Sequence, residues 1–185
     1  MDKRPQLRLT VDQYERMIQH GILTENSNVE LIRGEIVLKM SKGTAHVSCM
    51  KRLAELFYDL TRQIAMSSAQ DPIVLADSEP EPDYALLVRQ ADFYASRKPT
   101  AKDVLLLIEV ADSSLEYDRE IKGPLYAENG IAEYWIVNLI DNCLEVYRDP
   151  RPDGTYGDAR VLRAGDSISL VRLPTVSVKV DELIS

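Results

Sequence analysis

Several residue types that define other classes of protein are scarce in this chain of 185 residues. It contains two cysteines, two histidines, eight glycines and nine prolines. These counts exclude a disulfide-rich scaffold, a zinc site built on a Cys/His cluster, and a collagen-like or low-complexity chain. The apolar fraction of 45% and the charged fraction of 28% are ordinary for a globular protein. We expect a single domain over residues 1–185 that buries its own core.

Long apolar runs and an excess of positive charge are also lacking. The uninterrupted apolar runs, such as residues 104–108, are far shorter than a membrane span, and the polar residues 1–5 precede no apolar signal segment. We expect a soluble, cytoplasmic protein in which Cys49 and Cys143 are free thiols, although the sequence leaves a disulfide between them open. The net charge of -8 argues against nucleic-acid binding by bulk positive charge, but it allows a local basic patch.

The hydrophobic pattern predicts a mixed α/β domain. Apolar residues at helical spacing predict a long helix over about 44–66, and a second helical pattern covers 117–129, with a kink expected at Pro124. A β-hairpin is predicted over 29–40, and the nearly continuous apolar stretch 104–111 is typical of a strand buried on both faces. Further strands are predicted over 72–76, 83–88, 133–137 and 143–148, with weaker ones after residue 150.

Two carboxylates in this pattern are candidates for a functional site. Glu109 interrupts the buried strand 104–111, where an unpaired charge is costly, so it needs a cation or strong donors. A structural ion pair or a strand end that reaches solvent explains Glu109 equally well. Asp83 follows a proline and begins strand 83–88, where a turn aspartate is the commoner case. If the two strands are neighbours, both carboxylates and the carbonyl of Val110 form an all-oxygen site suited to Mg²⁺ or Mn²⁺.

Four further polar residues are weaker candidates. Asp118 and Lys122 share a helix face at i,i+4, which in general indicates a surface ion pair. Beside a metal-bound phosphate, however, the ammonium of Lys122 would offset negative charge. Glu30 interrupts an apolar hairpin strand, although alternation also places it on a solvent-facing side. His46, near the start of the long helix, is a candidate ligand, phosphate contact or cap. The sequence has no P-loop, GxGxxG, GxSxG or HExxH motif.

A series of short motifs occurs along the chain in a specific order. They are VELIRGE at 29–35, His46, PDYA at 82–85, LIEVADSS at 107–114, Asp118 with Lys122, LYA at 125–127 and GIAEYW at 130–135. Their joint order and spacing resemble the Uma-type family of restriction-endonuclease-like proteins, within the PD-(D/E)XK nuclease superfamily. The resemblance covers residues 10–184. It implies an α/β restriction-endonuclease-like fold, with a mixed β-sheet flanked by α-helices and an active site at one end of the central strands.

The resemblance also implies roles for particular residues. Asp83 matches the aspartate of the PD motif, and Glu109 matches the second acidic residue. Glu30 matches the acidic residue that the superfamily often contributes from its N-terminal part. The usual motif has lysine two residues after the second acid, but this chain has Ala111 there. In this family the lysine role is implied to move to the following helix, which points to Lys122.

The function that the resemblance implies is hydrolysis of phosphodiester bonds in nucleic acid, with DNA as the expected partner and no membrane partner. Mg²⁺ or Mn²⁺ would be held by Asp83, Glu109 and the carbonyl of Val110. A homodimer with two-fold symmetry would suit cleavage of both strands of a duplex. His46 and Asp118 match family positions to which the resemblance gives no role.

Two other functions are compatible with the same residues. One is a binding module for nucleic acid or protein that retains the nuclease fold without cutting, which the acidic net charge favours slightly. The other is a metal-independent two-carboxylate hydrolase acting on sugars, which insensitivity to EDTA would reveal. Contacts to a nucleic-acid backbone are expected from Lys39, Lys42, Lys51, Arg52, Arg89, Arg97 and Lys98. For a nuclease, Lys122→Ala is expected to lower cleavage and to spare folding.

Overall fold

The computed structural model describes residues 7–184, so the polar residues 1–5 considered above lie outside the described part of the chain. The helices are α1 (Val11–Gln19), α2 (Thr44–Thr61), α3 (Leu115–Tyr117), α4 (Gly123–Glu128) and α5 (Asp181–Ile184), with a π-helical turn (Asp118–Lys122) between α3 and α4. The strands are β1 (Val29–Ile32), β2 (Glu35–Leu38), β3 (Ala65–Ser68), β4 (Tyr84–Val88), β5 (Val104–Ala111), β6 (Glu133–Asn138), β7 (Cys143–Pro150), β8 (Tyr156–Leu162), β9 (Ser167–Ser169) and β10 (Ser177–Lys179).

Six of these strands form one mixed sheet in the order β3-β4-β5-β6-β7-β8. Strands β5 and β6 are parallel, and every other neighbouring pair in this sheet is antiparallel. A parallel pair requires a crossover connection, and residues 112–132 supply it with α3, the π-helical turn and α4. Strands β1 and β2 form the expected hairpin, and β9 pairs with β10. The mixed sheet with flanking helices confirms the predicted fold class.

The sheet separates two apolar cores. On one face, α2 presents a stripe of Cys49, Leu53 and Phe57 at helical spacing, which packs against the sheet together with the C-terminal segment. On the other face, Leu125 and Tyr126 of α4 pack against alternate residues of the same strands. Every residue of β5 is buried, as its continuous apolar run predicted.

Two of the predicted elements differ from the structure. Helix α2 ends at Thr61, earlier than expected, because the Thr61 hydroxyl bonds back to a carbonyl one turn before it and residues 65–68 pair with β4 instead. The strand predicted over 72–76 is wrong. That segment makes one isolated bridge, between Val74 and Thr100. The amides of Ile73 and Leu75 bond within a local loop, and the amide of Ala76 donates to the side chain of Asn129.

The crossover helix also differs from the expected helix over 117–129. Directly before Pro124 the chain contains a π-helical turn at Asp118–Lys122, where the N–H of Gly123 donates to the carbonyl five residues earlier. Pro124 follows this turn as the second residue of α4, and as a proline it supplies no backbone N–H to the helix. Such π-helical turns frequently occur at functional sites.

Two further expectations concern the cysteines and the membrane. Cys49 and Cys143 are both buried and free, so the disulfide that the sequence left open is absent. Between residues 7 and 184, none of the helices combines the length and the apolarity that crossing a membrane requires.

Candidate active site

Asp83 and Glu109 lie opposite each other where β4 begins and β5 nears its end. In this antiparallel pair Tyr84 faces Ile108, so the residue before Tyr84 and the residue after Ile108 occupy facing positions. The N–H of Asp83 donates to Oε2 of Glu109 at 3.3 Å, and the N–H of Val110 donates to Oδ2 of Asp83 at 2.9 Å. The structure therefore brings together the two carboxylates that the sequence paired.

Glu109 projects towards the face of the sheet that the crossover covers. Nζ of Lys122 lies 2.9 Å from Oε1 of Glu109, and the hydroxyl of Tyr126 donates to the same oxygen at 2.7 Å. Glu109 is 2% exposed and Lys122 is 7% exposed, so this is an internal ion pair. Burial raises the pKa of Glu109 above its ordinary value, although the ammonium of Lys122 opposes the shift. The ammonium of Lys122 alone therefore does not fully offset the cost of burying the charged form of Glu109.

Asp83 is held by groups from α2 and from β5. Nε2 of His46 lies 2.9 Å from Oδ2 of Asp83, and because a carboxylate only accepts, Nε2 is assigned the proton. Burial acts to raise the pKa of Asp83, but hydrogen bonds from His46 and the Val110 amide outweigh it and hold that pKa below its usual range. Among residues 7–184, the other oxygen, Oδ1, has only a long contact of 3.4 Å from Gln70. It is therefore the freer oxygen of Asp83.

Glu30 and Asp118 complete a ring of acids around one ammonium. Oε1 of Glu30 lies 3.8 Å from Nζ of Lys122, and its Oε2 accepts the N–H of Glu81 at 3.1 Å. Asp118, in the π-helical turn, accepts a hydrogen bond from the hydroxyl of Ser114 at 2.5 Å. Burial raises the pKa of Asp118 to about 6, with Lys122 and Ser114 opposing the shift. One lysine thus faces more carboxylates than it can neutralise.

Glu30, His46, Asp83, Glu109, Asp118 and Lys122 all line one cavity of about 310 Å³, whereas Tyr126 lies behind its wall. One wall comes from the β2–α2 connection, and the opposite wall comes from the crossover after β5. The lining contains six acidic residues and three lysines, namely Glu30, Glu81, Asp83, Glu109, Asp112 and Asp118 against Lys39, Lys42 and Lys122. The cavity is therefore acidic overall and suits a cation more than a free anion.

Two tyrosines belong to this site, and the sequence reasoning missed both. Tyr126 follows Lys122 by four residues in the helical crossover, a spacing that could have indicated a shared face. Tyr117 lines the cavity, and its buried hydroxyl has no hydrogen-bond partner within residues 7–184. Burial raises the pKa of Tyr117 to about 12, so this hydroxyl is a proton-bearing donor at neutral pH. A buried donor without an acceptor is rare in folded proteins and is consistent with a place kept for a ligand.

The donor set fits one hard divalent cation. No group of three or more acidic, histidine or cysteine side chains in the described part of the chain is arranged around a metal position. Mg²⁺ does not need such a group, because proteins usually hold it through one or two carboxylates together with waters and substrate oxygens. Oδ1 of Asp83 and Oε2 of Glu109 have the weaker hydrogen bonds, at 3.4 Å and 3.3 Å, and are the oxygens free to change partner.

Most basic residues expected to contact nucleic acid are already engaged. Lys39 pairs with Glu81, Arg97 with Asp103, and Lys98 with both Glu15 and Glu79, while Arg52 and Arg89 bond to backbone carbonyls. Lys42 and Lys51 make no salt bridge with any other residue that the structure describes. Of these two, only Lys42 lines the cavity. The expected basic patch is therefore reduced to isolated cations.

The fold and the carboxylate–lysine cluster define the class of protein: a restriction-endonuclease-like α/β domain with its polar groups gathered at the end of the central strands. The chain belongs to the Uma2 family, described as "Putative restriction endonuclease", whose family model matches residues 11–181.

A solved structure supports the same fold. The chain is similar to a protein from Anabaena variabilis that is titled a "putative nuclease belonging to DUF820", with a TM-score of 0.75 and 14% sequence identity. The match covers 95% of this chain and 97% of that chain. At this identity the similarity establishes a common fold. A search of the curated proteins finds no match.

Proposed function

We propose that this protein is a divalent-metal-dependent nuclease that hydrolyses phosphodiester bonds of nucleic acid, with DNA as the expected substrate, and that residues 1–185 form its one domain. The observation that supports it most is the facing pair Asp83 and Glu109, with Nζ of Lys122 2.9 Å from Glu109, in one buried cavity. The family and the similar fold support the same activity. Free cysteines are in keeping with a cytoplasmic location.

Asp83, Glu109 and the carbonyl of Val110 are the groups that would hold Mg²⁺ or Mn²⁺. When bound, such an ion lowers the pKa of water and polarises the phosphoryl oxygen. His46 and the Val110 amide bind one oxygen of Asp83 and leave the other with a single long contact. These contacts fix the orientation of the carboxylate before any ligand arrives, so little reorganisation is needed at the moment of reaction.

Lys122 supplies the positive charge that the superfamily motif places two residues after the second acid, where this chain has Ala111. Burial alone would lower the pKa of Lys122, but the charges of Glu109 and Glu30 outweigh it and raise that pKa above its ordinary value. Lys122 therefore stays an ammonium, and it offsets the negative charge that develops on the phosphoryl group.

A second candidate function is a binding module that keeps the nuclease fold without cutting. The observation that favours it is that both proposed metal-binding carboxylates already have protein partners. Lys122 and Tyr126 bind Oε1 of Glu109, and His46 binds Oδ2 of Asp83. A protein of this kind would bind nucleic acid or another protein through the same cavity without hydrolysis.

A cleavage assay on a panel of nucleic acids separates these candidates. We expect the purified protein to cut at least one of single-stranded DNA, duplex DNA or RNA in the presence of Mg²⁺ or Mn²⁺. EDTA should stop the reaction, and restoring the metal ion should recover it. Glu109→Ala should be inactive on every substrate. Cleavage that persists in EDTA, or equal cleavage by Glu109→Ala, contradicts the proposal, and binding without cleavage supports the second candidate.

A further inference from the structure

We infer that the cavity takes one unpaired nucleotide, so that the substrate is a single-stranded stretch of nucleic acid rather than an intact duplex. The inference rests on the proposed nuclease function and narrows its substrate class. Three observations carry it: the depth of the carboxylate–lysine cluster, the size and apolar rim of the cavity, and the shortage of free cations around its mouth.

The reacting groups are enclosed in the cavity and are not displayed on a surface. Asp83 is 9% exposed, and Glu109 and Lys122 are exposed even less. A nucleotide in a single strand can leave the stack at small cost and enter a pocket, whereas a paired one must first be extruded.

The cavity has the size of one nucleotide. Its volume of about 310 Å³ lies at the lower end of the roughly 300–1,000 Å³ found for small-molecule pockets. A space of this size accepts a base, a sugar and the adjoining phosphate, but not a base pair. The volume of the cavity therefore agrees with one nucleotide of a nucleic-acid strand as its occupant.

The rim of the cavity is apolar where the chain leaves β2. Leu38 is 78% exposed and Met40 is 48% exposed, and both line the cavity with Val37. Exposed aliphatic side chains beside an acidic site offer a surface on which the face of an unpaired base can pack and be removed from water. The faces of a base within a duplex are already covered by its stacked neighbours.

The free positive charge around the cavity suits contact with few phosphates. Proteins that bind duplex DNA through its backbone typically place several cations against phosphates. Three lysines line the cavity. Lys122 belongs to the buried cluster, and Lys39 is paired with Glu81. Among the lining residues that the structure describes, this leaves Lys42 as the cation without a salt bridge. One such cation suits the single phosphate that adjoins an inserted nucleotide.

The test compares oligonucleotides of one sequence as a single strand and as a blunt duplex, in DNA and in RNA, by cleavage rate with Mn²⁺ and by fluorescence anisotropy in EDTA. The variant Leu38→Ala/Met40→Ala changes the rim, and Val161→Ala, at an exposed position of β8 outside the cavity lining, is the matched control. Both sites are exposed, so thermal unfolding should show that each variant folds.

We expect the single strand to be cut about tenfold faster than the duplex or more, because extrusion of a paired base is avoided. The rim variant loses an apolar contact with the base, so it should raise KM for the single strand about fivefold with little change in kcat. The control Val161→Ala should leave this KM unchanged.

Equal or faster cleavage of the duplex overturns the inference but leaves the nuclease function standing. If the protein binds the single strand without cutting it, and the rim variant weakens that binding, the inference about the unpaired nucleotide is supported and the nuclease function is contradicted. If the protein neither binds nor cuts any of the oligonucleotides, both the inference and the nuclease function are wrong.

Discussion

Nζ of Lys122 lies 2.9 Å from Oε1 of Glu109, although the two residues belong to different layers of the molecule. Alternation along β5 turns Glu109 towards the face that the crossover covers, and the π-helical turn brings Lys122 down onto it. Because both groups are buried, each determines how stable the charge of the other is. Removing either partner therefore leaves the other group buried without its counter-charge.

Replacing Lys122 should impair both chemistry and folding. For the variant Lys122→Met we expect cleavage to fall by about 10², the scale for loss of one preorganised charge-stabilising group. We also expect the free energy of unfolding to fall by about 3 kcal/mol, because Glu109 loses its cation and must either remain a buried charge or take up a proton. Sequence alone suggested that folding would be spared, and the burial of the pair changes that expectation. Chemical denaturation and initial cleavage rates measure the two effects.

The double variant Glu109→Gln/Lys122→Met provides the control for that prediction. With no charge left on either side, it should be more stable than Lys122→Met alone by at least about 1 kcal/mol, while its cleavage rate should be no higher than that of Lys122→Met. A double variant that is less stable than both single variants, by an additive amount, would show that Glu109 and Lys122 are not energetically coupled.

The register of the central strands explains why the two acids could be paired from the sequence. A buried strand at 104–111 with one acid, and a proline-led strand entry at Asp83, required only that the strands be neighbours. The π-helical turn had no such signal, because a helical pattern does not reveal one extra residue per turn. Lys122 was therefore placed by resemblance and not by geometry, and the cavity rim at Leu38 and Met40 was not anticipated at all.

Asp118 should limit stability at neutral pH, and Asp118→Asn should relieve that limit. Burial raises the pKa of Asp118 to about 6 from an ordinary 3.8, so the native state holds the proton more tightly than the unfolded state does. Stability of the wild type therefore falls as the pH rises from about 4 to about 6, and the variant escapes that loss. We expect the variant to gain about 3 kcal/mol at pH 7 and almost nothing at pH 4.

Thermal or denaturant unfolding across this pH range checks the Asp118 prediction. The amide of Asn can still accept the hydrogen bond from Ser114, so the substitution changes mainly the charge. A gain that is the same at pH 4 and pH 7 would show that it comes from packing and not from the ionisation of Asp118.

Tyr117→Phe should separate stability from function. The hydroxyl of Tyr117 is buried without a partner, so removing it should leave the protein as stable as before or more stable by about 1 kcal/mol. If the hydroxyl donates to a charged group of the substrate, cleavage should fall about tenfold. Tyr58→Phe, at an exposed position of α2, is the control and should change neither quantity. Full cleavage by Tyr117→Phe would restrict this tyrosine to packing.

Metal binding should stabilise the folded protein through Asp83. A ligand that binds only the native state adds about 2.7 kcal/mol at a concentration one hundred times its Kd. We expect Mn²⁺ to raise the thermal midpoint of the wild type and to leave that of Asp83→Asn unchanged. An equal rise in both proteins places the metal elsewhere.

The most direct test of the proposed site is the single-turnover rate of phosphodiester cleavage with Mn²⁺ for the wild type, Glu109→Gln and Glu133→Gln. Glu133 is a matched control, because it is also buried and paired, with Arg148, at the start of another central strand. We predict that Glu109→Gln loses about 10² or more in rate, whereas folded Glu133→Gln keeps the wild-type rate. Equal rates for the wild type and Glu109→Gln, or a wild type that cuts no nucleic acid, would contradict the assignment of this cavity as a nuclease site.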